Sequence, residues 1–178
     1  MNLKVLKFID VFIIFGLCFI THFIYEWFSN TLFSIFFPVN ESIWEHLKML
    51  YSAIIICGFF DWLILKIFRI KFNNFFISLF LTSFISILLF LILYVPLFYI
   101  FGNSLFLNIT VLIVVIIVSQ FISYFIYISK NYGYLNYISL IGIVFVYIIF
   151  GILTYYPFFN DVFYDFSKDK YGINIYDI

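Results

Sequence analysis

The 178-residue chain is 66% hydrophobic and only 10% charged, whereas soluble domains carry roughly 25% charged residues. Its mean hydropathy is +1.19. Nine basic and nine acidic side chains give zero net charge, and no basic tract is present. These values exclude a soluble enzyme, a disordered segment and a nucleic-acid-binding module, and they predict an integral membrane protein in contact with the lipid bilayer.

Apolar runs divided by short polar breaks predict five membrane-spanning helices. A helix needs about 20 apolar residues to cross a bilayer, and such runs cover 8–28, 42–68, 75–98, 105–129 and 135–155. We expect an all-α polytopic bundle that forms a single membrane domain over 1–178. The apolar segment 32–37 is too short to cross, which leaves an interfacial or a re-entrant placement open.

The distribution of basic residues predicts the orientation of the chain. With five crossings, one end carries Lys4, Lys7, Lys66, Arg69, Lys71 and Lys130, and the other carries Lys48, Lys168 and Lys170. By the positive-inside rule, the N-terminus lies in the cytoplasm and the C-terminus outside. The abundant Phe, Ile, Tyr, Asn and Lys all have AT-rich codons, so we expect a multi-pass protein of a bacterial cell membrane.

The tail over 156–178 is rich in aromatic residues. A disordered tail would contain few of them. We therefore expect the tail to fold back over the outer ends of the helices as an ordered cap.

Polar side chains from three segments gather at the outer face of this predicted bundle. Ionisable groups at membrane depth are costly, so each of them is a candidate functional residue. The candidate catalytic residues are His22, Glu26, Asn40, Glu41, Glu45 and His46. The candidate supporting residues are Tyr25, Trp44, Lys48, Asp161, Asp165 and Tyr171.

Purely structural roles compete with this interpretation. Ser42 and Glu45 have the spacing of a capping box at the start of a helix, and Lys48 has the spacing to pair with Glu45. Trp44 is also typical of an interfacial aromatic belt. At the opposite end, Asp61 is expected to pair with Lys66 or Arg69, and Gln120 is expected to form a hydrogen bond with another helix.

Glu26 is harder to explain structurally, because an acidic side chain near a helix C-terminus opposes the helix dipole. It calls for a partner such as His46, Lys48 or a bound cation. Histidines with carboxylates suit a zinc-type metal, and His22, Glu26 and His46 are the candidate ligands. The spacing is not the His-Glu-x-x-His signature, so the cofactor stays open, with a divalent metal as one alternative.

Five segments form a pattern in chain order: His22-x-x-Tyr25-Glu26-Trp27, Val39-Asn40-Glu41-Ser42-Ile43-Trp44-Glu45-His46-Leu47-Lys48, Thr154-Tyr155-Tyr156-Pro157, Phe163-Tyr164-Asp165 and Tyr171-Gly172-Ile173. Together they resemble a family of small polytopic bacterial membrane proteins catalogued as a domain of unknown function. One departure is Phe158, where the family is expected to have a second proline. The resemblance implies a polytopic membrane protein and supplies no activity.

Three functions remain open. The first is a membrane-embedded enzyme with an outward-facing polar site that acts on a lipid headgroup or an envelope component. The second is a non-catalytic subunit that docks an unknown protein partner through its outer cap. The third is a transporter of a small solute or a cation, which would need a polar path from Glu45 to Asp61. An enzyme needs the polar side chains to converge around a cavity.

Overall fold

The computed structural model describes residues 2–173. In this part of the chain, six α-helices precede one two-stranded hairpin. The helices are α1 (Leu3–Trp27), α2 (Thr31–Phe36), α3 (Ile43–Ile67), α4 (Phe75–Phe101), α5 (Leu105–Ile128) and α6 (Leu135–Tyr155), and the strands are β1 (Tyr164–Asp165) and β2 (Lys170–Tyr171). The predicted all-α architecture is therefore observed, with one short hairpin added near the end.

Four of the described helices, α3 to α6, are long and apolar enough to cross a membrane. The prediction was five. The remaining predicted span corresponds to α1, which is 25 residues long but does not belong to this set. The segment predicted as interfacial or re-entrant forms α2, a helix of six residues.

The long helices run back and forth between two ends of the bundle. Lys7 near the start of α1 contacts Asp61 near the end of α3, so these helices are antiparallel. Ser78 near the start of α4 meets Ser123 near the end of α5 at 2.9 Å, so these are antiparallel too. We call the end that holds the start of α3 and the end of α6 the cap end. We call the opposite end, with the turns after α3 and α5, the basic end.

Local sequence signals account for the helix boundaries at the cap end. The Ser42 hydroxyl accepts a hydrogen bond from the Glu45 N–H at 3.3 Å, which satisfies one of the free donors at the start of α3. Helix α4 stops at Gly102, whose φ of 74° is a left-handed conformation that favours glycine. Helix α6 ends one residue before Tyr156 and Pro157.

Residues 156–173 form a cap that folds back onto the helix ends. The Trp44 N–H donates to the Val162 carbonyl at 2.9 Å. The Trp44 ring lies between the rings of Phe163 and Phe150, with centroid distances of 4.8 and 5.3 Å. The Ile173 N–H donates to the Thr154 carbonyl at 3.2 Å. The predicted cap is thus folded up to residue 173, and the predicted tail beyond it, 174–178, lies outside the described residues.

Candidate functional site

Three ionisable side chains from two segments converge at the cap end. The Glu41 Oε2 atom lies 3.6 Å from His22 Nε2 and 3.6 Å from His46 Nε2. The two imidazole rings meet edge to face with their centroids 5.2 Å apart. His22 comes from the last turns of α1 and His46 from the first turn of α3, so the antiparallel packing of these two helices brings them together. We call His22, Glu41 and His46 the polar triad.

A backbone hydrogen bond orients the ring of His46. Its Nδ1 atom lies 2.8 Å from the carbonyl oxygen of Ser42. Because a carbonyl can only accept, Nδ1 carries the proton and donates it. The lone pair of the neutral ring then lies on Nε2, which is the atom that faces Glu41.

Glu41 is positioned through its main chain by the cap. Its N–H donates to Asp165 Oδ2 at 3.0 Å, while Asp165 Oδ1 accepts from the N–H and hydroxyl of Ser167 at 2.8 and 2.6 Å. Burial by itself raises the pKa of Asp165, but the hydrogen bonds from Ser167, Glu41 and Lys168 outweigh it and hold the pKa below its ordinary value. The cap therefore presents a charged carboxylate at neutral pH that fixes the backbone of Glu41.

The polar triad lies at a cavity of about 350 Å³ between α1, α3, α4, α5 and the cap. This size is within the range of small-molecule sites. The cavity is lined by Cys18, Phe19, His22, Glu41, Ile43, His46, Met49, Phe90, Tyr94, Phe98, Asn103, Leu105, Asn108, Ile109, Leu112, Tyr164, Phe166 and Ser167. Most of these side chains are apolar, and the triad forms a polar patch on this mainly apolar lining.

The cavity extends well into the bundle. On α4 its lining runs from Phe98 to Phe90, which at 1.5 Å per residue corresponds to about 12 Å. On α5 it runs from Leu105 to Leu112. Among the described residues, the buried Asn108 Oδ1 has no hydrogen-bond partner. The inner part of the cavity is thus lined by both apolar and polar side chains of α4 and α5.

Glu26 does not join the polar triad. It is exposed on the last turn of α1 and does not line the cavity. Within residues 2–173 Glu26 makes no ion pair. The partners expected for it pair with other residues, His46 with Glu41 and Lys48 with Glu45. Glu26 shares a face with His22 four residues earlier, but the helix ends at Trp27 and the cavity reaches only His22.

Asn40 and Glu45 are also absent from the cavity lining, and both serve the fold. The Asn40 amide donates to the Gly172 carbonyl at 3.0 Å, and its Oδ1 accepts the Ser42 N–H at 2.9 Å. Glu45 accepts from the Val39 N–H at 3.0 Å. Only half of the predicted capping box forms, because the Glu45 carboxylate binds Val39 instead of returning to Ser42.

Glu45 and Lys48 form a buried ion pair on a face of α3 that does not line the cavity. Both side chains are almost inaccessible, with 2% and 0% exposure. The Lys48 ammonium also donates to the Ser34 carbonyl at 2.7 Å and to the Thr154 hydroxyl at 2.8 Å. Thr154 in turn donates to Glu45 at 2.9 Å. The predicted pairing of Lys48 with Glu45 is confirmed, and its contacts join α2, α3 and α6.

The other candidate supporting residues lie in or under the cap. Trp44 is partly buried and stacks on Phe163 of the cap. Tyr25 is buried against Phe37 and Ile173. The remaining two lie on the surface of the cap, where Asp161 accepts from the Tyr99 hydroxyl at 2.9 Å and Tyr171 packs on Tyr164.

The basic end holds a polar cluster that the sequence analysis missed. Lys7 donates to Asp10 at 2.9 Å, to Asp61 over a shorter distance, and to the Gln120 amide oxygen at 3.5 Å. The expected pairing of Asp61 with Lys66 or Arg69 is therefore wrong, while the expected interhelical hydrogen bond of Gln120 is present. The available signal was Asp10, a charge within an apolar run and one helical turn after Lys7.

The cavity wall also contains two polar residues that were not predicted from the sequence. Asn103 and Asn108 lie near the start of α5, and the Asn108 amide donates to Asn103 Oδ1 at 3.3 Å. The Tyr94 hydroxyl donates to the same oxygen at 3.4 Å. The sequence feature that could have identified them is a pair of asparagines five residues apart beside a span of apolar residues.

The profile of a family of unknown function (DUF6512) matches residues 2–173. No curated protein and no solved structure matches the chain.

Proposed function

We propose that this chain, which belongs to the family of unknown function DUF6512, is a membrane-embedded enzyme that acts on an amphiphilic substrate. One observation carries the proposal. The polar triad lies at an apolar cavity of about 350 Å³, so a single ligand can place a polar head on the triad and a hydrocarbon part against the lining. A lipid headgroup with the first carbons of its chains has this chemistry.

In the membrane topology that we propose, α1 is a fifth crossing helix. Helix α1 lies antiparallel to α3 over most of its length, since Lys7 contacts Asp61 and the Thr21 hydroxyl contacts the Met49 carbonyl at 3.3 Å. Lys7 and Lys48 are both buried in ion pairs, so neither counts toward the orientation. The remaining basic residues still favour the basic end, which we assign to the cytoplasm of a bacterial cell.

The proposed chemistry uses the partly exposed Glu41 carboxylate and the Nε2 atoms of the two histidines. Glu41 has 41% side-chain exposure, and the two histidines have 23% and 21%. A carboxylate or a neutral imidazole at hydrogen-bond distance from a substrate hydroxyl or a water molecule can act as a general base. The cavity limits the access of bulk water to the bound hydrocarbon part.

The contacts favour an enzyme over a transporter. A transporter needs a polar path that reaches Asp61, but Asp61 lines a second, separate cavity of about 10 Å³. Among the described residues, the two cavities share no lining residue. The buried apolar side chains of Ile14, Ile54 and Val115 belong to the core of the bundle at intermediate depth.

A turnover assay with a matched pair of glutamates tests the proposal. The protein in lipid nanodiscs is incubated with phosphatidylglycerol and phosphatidylethanolamine, and lipid products are followed by mass spectrometry. We expect products with the wild type and with Glu26→Gln, and loss of products with Glu41→Gln. Equal turnover in both variants, or no turnover of either lipid by the wild type, contradicts the proposal.

A second pair of variants tests the role of the cavity. Leu112 lines the cavity, whereas the next residue, Ile113, is 38% exposed on the outside of α5. Leu112→Trp fills the cavity and should abolish turnover of long-chain lipids, while Ile113→Trp should leave it unchanged. A loss of the same size in both variants would mean that the hydrocarbon part binds elsewhere.

A further inference from the structure

We infer that the polar triad binds a divalent transition metal ion of the zinc type, through His22 Nε2, His46 Nε2 and one oxygen of Glu41. The inference rests on the proposed function, because it assigns a cofactor to the same site. It replaces the predicted ligand Glu26, which lies outside the cavity, by Glu41. The three ligand atoms all lie within 4.8 Å of one another.

The distances within the triad fit a shared metal better than hydrogen bonds. Each N···O separation to Glu41 is 3.6 Å, which is too long for a hydrogen bond. Two ligands of a tetrahedral site with metal–ligand bonds of about 2.1 Å lie about 3.4 Å apart. The two N···O separations are therefore within a few tenths of an ångström of the tetrahedral value. The two imidazole nitrogens lie within 4.8 Å of each other, so metal binding would draw them closer together.

The tautomer of His46 supports the same conclusion. In the neutral ring, the bond from Nδ1 to the Ser42 carbonyl leaves the lone pair on Nε2, the atom that faces the Glu41 carboxylate. A nitrogen lone pair and a carboxylate oxygen attract each other only when a proton or a metal ion lies between them. Histidine ligands of metals characteristically donate their other ring N–H to a carbonyl or carboxylate, and the Ser42 carbonyl has this position.

The third ligand also has a supporting contact. The backbone N–H of Glu41 donates to Asp165, and Asp165 is held by Ser167 in the β1–β2 turn. Supporting contacts of this kind orient a ligand before the metal binds. The cap therefore acts on the metal site through the main chain of Glu41 and supplies no ligand of its own.

The ligand count indicates an open site. Structural zinc sites have four protein ligands, while catalytic sites have three and leave one position for water or substrate. Here three protein ligands lie on the lining of the 350 Å³ cavity. A metal bound to them would polarise a substrate oxygen or lower the pKa of a bound water, which is the chemistry that hydrolysis of a lipid ester or phosphoester needs.

A second group of possible ligands, Asp10, Cys57 and Asp61, does not support a metal in the same way. The Lys7 ammonium already donates to both carboxylates of that group. A metal would have to displace a buried lysine and remove the proton from a buried thiol. At the basic end, the Lys7 ammonium thus already supplies the positive charge that balances the carboxylates. The polar triad has no such cation among its described contacts.

Metal binding to the purified protein tests the inference directly. The protein, prepared without a histidine tag and stripped with a chelator, is titrated with Zn²⁺ and, for spectroscopy, with Co²⁺. We expect one ion per chain and an intense visible Co²⁺ spectrum of tetrahedral type. His22→Ala and Glu41→Gln should raise the Kd by more than about 100-fold, which exceeds the roughly 10–100-fold effect of losing a supporting hydrogen bond.

Two further variants separate binding from folding. His46→Asn keeps a side-chain N–H near Ser42 but removes Nε2, so it should fold and lose the metal. Glu26→Gln removes a carboxylate from the same end and should bind as the wild type does. Absence of a bound ion in the wild type, or unchanged affinity in His46→Asn, overturns the inference.

The result is distinguishable from a failure of the proposed function. Lipid turnover that persists after complete removal of metal refutes the metal site and leaves the enzyme proposal standing. Normal metal binding with no turnover and no lipid in the cavity refutes the enzyme proposal and leaves the metal site standing.

Discussion

Ionisable side chains have opposite surroundings in the Lys7 cluster at the basic end and in the polar triad at the cap end. At the basic end, two carboxylates flank Lys7, and the adjacent cavity of about 10 Å³ has room for about one water molecule. At the cap end, one carboxylate faces two imidazoles without a fixed cation, beside a cavity of about 350 Å³. The carboxylates of the Lys7 cluster are thus buried beside their counterion, whereas the side chains of the polar triad line an open cavity.

The same contrast exists across one helix. Glu45 and His46 are consecutive residues of α3, and consecutive side chains point about 100° apart around a helix. Glu45 faces α2 and α6, where Lys48 neutralises it. His46 faces the cavity. One turn of α3 therefore supplies both an enclosed ion pair and an imidazole that lines the cavity.

The largest expected effect is a loss of folding stability when Lys7 is removed from the buried cluster at the basic end. Lys7→Met leaves Asp10 and Asp61 facing each other without a cation, and removal of one partner of a buried ion pair costs about 3–5 kcal/mol. We expect the free energy of unfolding in detergent to fall by this amount. Lys4→Met, on the same helix but exposed, should cost less than about 0.5 kcal/mol. Similar costs for the two variants would show that the Lys7 cluster is solvated.

Next in size is a comparison of the two glutamates at the cap end. Glu45→Gln leaves Lys48 as a buried charge that keeps only its neutral partners, so the free energy of unfolding should fall by about 3 kcal/mol. Glu41→Gln changes a partly exposed side chain and should cost less than about 0.5 kcal/mol. Chemical denaturation of both variants measures the difference. A large cost at Glu41 would mean that the polar triad serves the fold.

A smaller effect is expected at the junction of the cap. Gly172 has a φ of 51°, and a Cβ atom there would lie 2.4 Å from the Thr154 carbonyl. Gly172→Ala should therefore cost about 2 kcal/mol and expose the cap to protease. Gly133→Ala has a similar φ of 57° but open space around it, so it should cost about 1 kcal/mol from backbone strain alone. Equal costs would show that the cap is not tightly docked.

The smallest expected effect is a loss of cap stability at low pH. The pKa of Asp165 is lowered in the folded chain, so its contribution to stability is complete above its unfolded pKa of about 3.9 and is lost as the pH falls through the folded value. Protease protection of the cap should hold to about pH 4 and decline below it. In Asp165→Asn this step should disappear. A decline that begins near neutral pH, or that persists in Asp165→Asn, contradicts this assignment.

The positions of the helices could be predicted from the sequence because they depend on local apolar content. Helix α6 covers Leu135–Tyr155, as expected from 135–155. Helix α1 begins at Leu3, five residues before the expected start, because the charges of Lys7 and Asp10 are neutralised by packing. Local hydropathy cannot register a partner that lies 54 residues away, which is the separation of Lys7 and Asp61.

The composition of the site could be predicted only in part. His22, Glu41 and His46 were among the candidates, and Glu26, Asn40 and Glu45 were candidates that the cavity does not include. Sequence spacing shows which side chains share a helix face, but it does not show where a cavity ends. It also could not show that Asp165 holds the backbone of Glu41 across 124 residues.

The hydrogen bond between Glu41 and Asp165 has a consequence for biogenesis. His22, Glu41 and His46 are synthesised early, whereas Asp165 follows all six helices in the chain. During synthesis, the loop that carries Glu41 therefore lacks this hydrogen bond until the β1–β2 hairpin has been made and has folded back onto the helix ends. The polar triad therefore acquires its final geometry only after the helices have assembled and the hairpin has docked.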